Sequence, residues 1–264
     1  MVNVLDLQGK VKEKMELPKV FSTPYRSDLI RRAVIAAQAN RRQKYGSDRM
    51  AGKRTSAHYH GLTHADPDQR MMGREMSRMP REHGDTARFM RGRLSPHAVG
   101  GRRAHPPKVA KKWDKKINKK EKIFAIKSAI AGTAKKELVM ERSHFFEGLL
   151  PVVVEDSVQE MKKIGEVKDF LKRIGMEKEM ERVGQKKARS GRGKLRRGKY
   201  KKRTGPLIVI KEDKGIVKAC RNIPGLDVVE VGKIDAEKLS PGAHGIRLTI
   251  WSKSAMESLE PKKV

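Results

Sequence analysis

The chain has 264 residues, with 62 Lys plus Arg against 31 Asp plus Glu and a formal net charge of +31. The 37% hydrophobic content is enough for one good core, and the single cysteine, Cys220, excludes an intramolecular disulfide and points to an intracellular setting. No run approaches the roughly 18 apolar residues that a membrane helix needs, and the N-terminus does not read as a signal peptide, so the expectation is a soluble, unexported protein without a membrane partner.

In chain order, Val2 to Leu7 alternates like a short strand, and a polar turn at Gly9 to Lys14 leads to a second extended piece through Val20. Thr23 and Pro24 are suited to cap and open a helix, and Leu29, Ile30, Ala33, Val34 and Ala37 recur on one face. The pattern then stops. From Arg41 to Lys112 there are 18 Lys plus Arg, six Asp plus Glu, six His, six Met and eight Gly, but only four Leu, Ile or Val in 72 residues. Such a stretch cannot bury a core of its own, and it is too long to be an ordinary connection inside a compact domain. It reads as an arm inserted into a globular body.

The body resumes near Trp113, with Ile123, Phe124, Ile126 and Ile130 at helical spacing and a further helix over Lys135 to Arg142. Leu150 to Val154 is a continuous, β-branched run of the kind buried on both faces of a sheet. Short helices are expected over Val158 to Ile164 and Val167 to Ile174. A second basic run, Gln185 to Arg203, has 11 basic and no acidic residues. Beyond it, Leu207 to Ile210, Val228 to Val231 and Ile246 to Trp251 repeat the strand pattern, helical candidates lie between them, and Ser252 to Leu259 closes the chain as a helix. Alternating strands and helices predict a three-layer α/β body with a mostly parallel sheet. Its expected extent is 1–44 together with 113–264, interrupted by a long extended arm at 45–112.

The arm and the late run hold most of the net charge, and cations concentrated in this way are the footprint of binding to a polyanion, in which basic side chains displace counterions from phosphates. The candidate RNA ligands on the arm are Arg41, Arg42, Lys53, Arg54, Arg70, Arg74, Arg78, Arg81, Arg88, Arg91, Arg93, Arg102 and Arg103. On the late run they are Arg189, Arg192, Lys194, Arg196, Arg197, Lys199, Lys201, Lys202 and Arg203. Tyr45, Tyr59, Phe89 and Trp113 are candidates for stacking on unpaired bases, and the glycines allow close approach to phosphates. No helix-turn-helix, zinc finger or single-strand-binding signature is present, which favours RNA of defined shape over a DNA sequence.

Three other chemistries fit less well. Gly193 to Lys199 has the glycine and lysine spacing of a phosphate-binding loop, but Tyr200 stands where Ser or Thr would hold magnesium, and no apolar strand precedes it. His58, His60 and His64, with His83, His97 and His105 nearby, lack the cysteines usual in structural zinc sites. The same histidines offer no apolar wall that would tune a nuclease base. Met72, Met76 and Met79 at helical spacing suit soft packing against bases or a neighbouring protein. Cys220, after Val217 and Ala219, reads as a small core residue.

Several motifs, in order, resemble the archaeal and eukaryotic form of the universal ribosomal protein number four of the large subunit. KRTSAHYHG at 53–61, REMSRMPR at 74–81 and GGRRAHPP at 100–107 look like that family's arm. INKKEKIFAIKSAIAGTA at 117–134 looks like the helix that re-enters the body, and RSGRGKLRRGKYKKRTGPLIVI at 189–210 looks like the late basic loop and the next strand. The tip departs from the family, with Ala57-His58-Tyr59-His60 in place of a bulky or glycine-rich pattern. The resemblance implies a non-enzymatic, cofactor-free component of the cytoplasmic ribosome with no small-molecule substrate. Its body would sit against rRNA on the subunit surface. Its arm would reach the nascent-peptide exit tunnel beside neighbouring ribosomal proteins, among them one with an extended tunnel hairpin. The alternative is a free RNA-binding or nucleic-acid-packaging protein.

Overall fold

The computed structural model describes residues 1–59, 70–82, 87 and 89–259. The chain divides into two compact units, one of Met1–Arg41 with Asp114–Val264 and the other of Arg42–Trp113.

The first unit opens with an antiparallel hairpin, β1 (Val2–Leu5) and β2 (Val11–Met15). Its turn places Gly9 at φ +77°, where a Cβ would be strained and would lie 2.7 Å from the Arg173 carbonyl oxygen. β2 is a sheet edge, and Lys12, Glu13 and Lys14 on it are exposed, charge that discourages pairing with another strand. A 3-10 turn at Lys19–Ser22 replaces the end of the expected extended piece.

Helix α1 spans Ser27–Asn40, three residues later than Thr23 and Pro24 suggest. The reason lies about a hundred residues away. Ser128, fully buried, donates its hydroxyl to the Pro24 carbonyl (3.0 Å) and accepts the Arg26 N–H (2.7 Å), which holds Pro24 to Arg26 out of the helix. Arg26 closes over Asp28 through two bonds of 2.9 and 2.7 Å.

Then follow α2 (Lys119–Gly132), α3 (Lys136–Glu141) and β3 (Val152–Val154). The helix expected at Val158 to Ile164 is a 3-10 turn at Asp156–Glu160, and the next helix, α4 (Ile164–Arg173), begins earlier than Val167. After α5 (Glu177–Gly184) the basic run forms β4 (Lys187–Ala188), α6 (Gly193–Arg197) and β5 (Tyr200–Lys201). The chain ends with β6 (Leu207–Ile210), α7 (Ile216–Cys220), β7 (Asp227–Glu230), α8 (Ala236–Leu239), β8 (Thr249–Ser252) and α9 (Lys253–Glu257).

The main sheet has the order β2-β1-β3-β8-β6-β7, parallel except at the β1–β2 hairpin. Its central strands are buried on both faces, which is why they read as continuous apolar runs. Val152, Val154, Ile208, Ile210 and Ile250 pack on one side with Val139 of α3, Phe170 and Leu171 of α4, and Ile216, Ala219 and Cys220 of α7. Val153, Leu207, Val209 and Trp251 pack on the other with Ile30 and Val34 of α1, Ala125 and Ala129 of α2, Leu239 of α8 and Met256 of α9. This is the expected three-layer α/β body. Each fully buried side chain of this size contributes about 1.5–3 kcal/mol before chain entropy is counted. Cys220 belongs to the core, and burial pushes its thiol up to about 12, so it stays a thiol.

Between Arg41 and Asn118 no described residue lies in a helix or a paired strand. The second unit is held by loops instead. Two isolated bridges, His58 with Arg81 and Arg81 with Gly92, draw three separate stretches together.

Candidate nucleic-acid interface

Parallel sheets of this class commonly hold ligands beyond the carboxyl ends of their central strands. Here that place is filled by the protein itself. The Gln159 amide donates to Asp156 Oδ1 (2.8 Å) and to the hydroxyls of Ser254 (2.9 Å) and Ser252 (3.3 Å), and the Ser254 hydroxyl donates to Asp156 Oδ1 (2.6 Å). Gln159 Oε1 accepts the Glu212 N–H at 3.3 Å, with Gln159 3% and Ser252 0% exposed. Donors and acceptors there face and satisfy one another.

The chemistry on the surface belongs to the two basic segments. The late run is mounted on the body by a buried polar cluster at its root. Arg182 of α5 grips Glu179 with two bonds (Nε to Oε2 2.8 Å, Nη2 to Oε1 2.7 Å) and also donates to the Thr204 carbonyl at 2.7 Å. Arg203 donates back to the Arg182 carbonyl (2.9 Å), so both ends of the run are tied together. Glu179, 0% exposed, also accepts from His144 Nδ1 (2.6 Å) and the Phe145 N–H (3.1 Å). Next to it, Arg247, 2% exposed, donates to the carbonyls of Gly205 (2.6 Å), Pro206 (3.1 Å) and Gly225 (2.9 Å) and pairs with Asp227 at 2.7 Å.

The electrostatics of this root are settled by burial and hydrogen bonding together. Burial pushes the Glu179 carboxyl up, but the bonds from Arg182, His144 and the Phe145 N–H outweigh it and hold the group below its ordinary range. Burial pushes His144 down, and Arg182 and Arg247 push the same way against the opposing pull of Glu179. A neutral imidazole donating through Nδ1 suits the site, because Nε2 has no partner among the described residues and a bare lone pair costs less there than a bare N–H of a cation.

Beyond the root, β4 and β5 pair antiparallel, Lys187 opposite Lys201 and Ala188 opposite Tyr200, and the Arg189 N–H extends the ladder to the Lys199 carbonyl (2.8 Å). α6 lies between the two strands. Arg192, Lys194, Arg196, Arg197, Lys199, Lys201 and Lys202 are exposed, while Arg189 and Arg203 are half-buried. The amines of Lys186 and Lys199 stand 5.7 and 5.5 Å from the Tyr200 ring centroid. Leu195, at the tip, is 88% exposed. Gly193 to Lys199 therefore lies on an exposed hairpin and not after a buried strand, the setting a phosphate-binding loop requires.

In the second unit, Arg42, Lys53, Arg54, Arg70, Arg74, Arg78, Arg91, Arg102 and Arg103 are exposed, and Arg54 pairs with Asp48. Arg41, at the end of the first unit, is exposed and pairs with Glu237 at 2.6 Å. Arg88, His60, His64 and His83 lie outside the described residues. Two predicted ligands point inward. Arg81 is 8% exposed and donates to the Met90 carbonyl (2.8 Å) and to the carbonyl and hydroxyl of Ser77 (2.9 and 3.0 Å). Arg93, half-buried, pairs with Glu82 at 3.1 Å, and Glu82 also accepts from the Thr55 hydroxyl (2.9 Å).

At the root of this unit Tyr45 stacks on Trp113 (centroids 6.0 Å apart, planes at 22°), with Arg42 at 3.7 Å and Lys111 at 4.5 Å from the Trp113 ring centroid. Tyr45, Tyr59 and Phe89 are about half exposed, at 52, 49 and 46%. Met71, not singled out from sequence, is 1% exposed, whereas Met72 is exposed and Met76 and Met79 are half-buried. Among the described residues no group of three or more His, Cys, Asp or Glu has the arrangement to hold a metal ion, and no helix is long and apolar enough to cross a membrane.

Comparison with known proteins places this architecture. The chain is 45% identical over 260 residues to the large ribosomal subunit protein uL4 of Archaeoglobus fulgidus, covering 97% of this chain and 96% of that protein. It is 44% identical over 261 residues to the protein of the same name from Methanosphaera stadtmanae (98 and 95% covered) and 44% over 262 residues to that from Methanopyrus kandleri (98 and 97%). The family model for ribosomal protein L4/L1 matches residues 15–262, and the chain belongs to that family.

Proposed function

We propose that this protein is a structural rRNA-binding component of the large ribosomal subunit, with no catalytic role, acting in the cytoplasmic ribosome. The observation that carries the reading is the mounting of the late basic run. Nine exposed cations, Lys186 and Lys187 among them, stand on a hairpin whose two ends are locked to a rigid α/β body through Arg182, Arg203 and Glu179. Charge meant only for solubility needs no such mounting. A rigid array of cations matched to phosphates loses little freedom on binding. The names of the relatives, uL4 of the large subunit, agree with this reading.

The body with its hairpin provides attachment to the subunit surface, and the insertion over 45–112 extends towards the nascent-peptide exit tunnel. There it meets rRNA and neighbouring ribosomal proteins, including the one with a tunnel hairpin. Of the insertion's cations, the exposed ones touch phosphate, while Arg81 and Arg93 hold the loop in shape. High-salt sucrose sedimentation of a native lysate tests the assignment. The protein is expected to remain with the large subunit, and its recovery as free protein at moderate salt would favour a free RNA-binding or packaging protein instead.

A further inference from the structure

Within the unit Arg42–Trp113, two separate segments, 46–53 and 101–110, approach each other at two points. At one, the Ser47 N–H donates to the Pro107 carbonyl (3.1 Å), and a Cβ on Gly46 would lie 2.7 Å from the Val109 side chain. At the other, Gly52 at φ +74° lies so close to Arg102 that an added Cβ would stand 2.6 Å from its Cα. Between them the same two segments line a cleft of about 750 Å³. That lies within the roughly 300–1,000 Å³ span of pockets that enclose small ligands.

The lining has two characters. Arg49, Lys53, Arg102, Arg103 and Lys108 contribute five cations, and among the described residues none of their side chains has a hydrogen-bond or ion-pair partner. The acid in the wall, Asp48, is already held by Arg54 and by the Met50 N–H. The remaining surface is largely alanine and proline, Ala104 and Pro106 among them. Cations alone would suit any phosphate, but small apolar walls beside them suit the flat face of a base as well. The cleft has the size for one nucleotide and not for a duplex.

We propose that this cleft receives a single unpaired nucleotide of the RNA, its base against the alanine and proline wall and its phosphate among Arg102, Arg103 and Lys108. The site rests on the rRNA reading above and adds to it a place where recognition goes beyond charge. RNA suits such a seat, because an unpaired base in a loop or bulge is already out of the stack and costs little to insert.

The test uses the full-length protein bound to large-subunit rRNA, comparing wild type with Ala104→Trp and, separately, Ala110→Trp. Ala104 and Ala110 are exposed residues lining the cleft, so the indole fills it while every charge and the body core are kept. Both variants are expected to bind about tenfold more weakly, the scale of losing one stacked base, with the log–log salt slope flattened by no more than about 0.7, the share of the one phosphate seated in the cleft. In base-specific chemical probing, one or two adjacent unpaired bases, protected by wild type, should become reactive. Wild-type affinity and protection in both variants would overturn the site. So would altered phosphate contacts with no change at any base, the result of an anion seat only. Failure of the wild type itself to bind the rRNA would overturn the broader function and this site with it.

Discussion

The two units bury different things. In the body, Val, Ile, Leu, Phe and Trp side chains fill both faces of a sheet, and its buried charges lie together at the root of the hairpin. Among the described residues of 42–113 the buried apolar side chains are Ala57, Met71 and Met90; the backbone of Arg81 bridges to His58 and Gly92, and its buried guanidinium braces Met90 against Ser77. A core of apolar side chains is non-directional, large and cooperative. A strut made from a few charged N–H donors, here three bonds from Arg81, is directional and local, each bond worth about 1.5–3 kcal/mol where a charge is involved. The body has a cooperative core, while the insertion keeps its shape without one.

The largest effect that separates the two should come from Trp251→Ala. Trp251 is 0% exposed and meets Phe21 edge-on at 6.1 Å, so its loss should cost the body about 3–5 kcal/mol in urea unfolding. Glu179→Ala should come next. It strands Arg182 and His144 in a buried site, a change that typically costs about 3–5 kcal/mol, and it frees the hairpin root, so proteolysis within 186–202 should rise more than global stability falls.

Acid should weaken the same cluster in two steps. His144 is lowered in the fold, so the unfolded chain takes up its proton first, and stability falls as pH drops below the ordinary histidine value of 6.5. Glu179 is also lowered, so its contribution, complete above about 4.5, is lost as pH falls further through its folded value. A midpoint of urea unfolding that does not move between pH 7.5 and 5.5 would contradict the neutral, buried His144.

Changes in the insertion should leave the body alone. Arg81→Lys keeps the charge but loses the fork that reaches Met90 and Ser77 together, so amide exchange across 77–82 and 89–92 should quicken. Global unfolding should shift by less than about 0.5 kcal/mol. Deleting 53–81 should have the smallest effect on stability, because both core clusters are built from residues outside 42–113. Loss of the cooperative transition in that deletion would show that the insertion belongs to the core.

How much of this could be read from the sequence follows from the same contrast. Strands such as Leu207–Ile210 were legible because burial on both faces leaves an unbroken apolar run. The start of α1 was not, because Ser128 on another helix decides it. α5 escaped notice because its buried face carries Glu179 beside Val183, and an acid breaks the apolar pattern. Met176, Met180 and Val183 at helical spacing, together with the Glu179 and Arg182 spacing of three, were the signals available. Nothing in the sequence distinguishes Arg81, a strut, from Arg78, which is exposed. The hairpin within the basic run is paired through backbone under exposed side chains, so no side-chain periodicity announces it. The locations of the two basic segments were plain from composition, whereas which cations face outward needed three dimensions.

The central claim is that the mounted hairpin binds RNA through its exposed cations, and the salt dependence of rRNA binding measures it most directly. Binding of the full-length protein should be compared with that of a variant carrying Arg196→Ala, Arg197→Ala, Lys201→Ala and Lys202→Ala, plotted as log affinity against log salt. For every phosphate deprived of its cation the slope should flatten by about 0.7–0.9, roughly 3 for four phosphates, while the body remains folded. A slope equal to that of the wild type would mean that the hairpin faces solvent and that the RNA is held elsewhere.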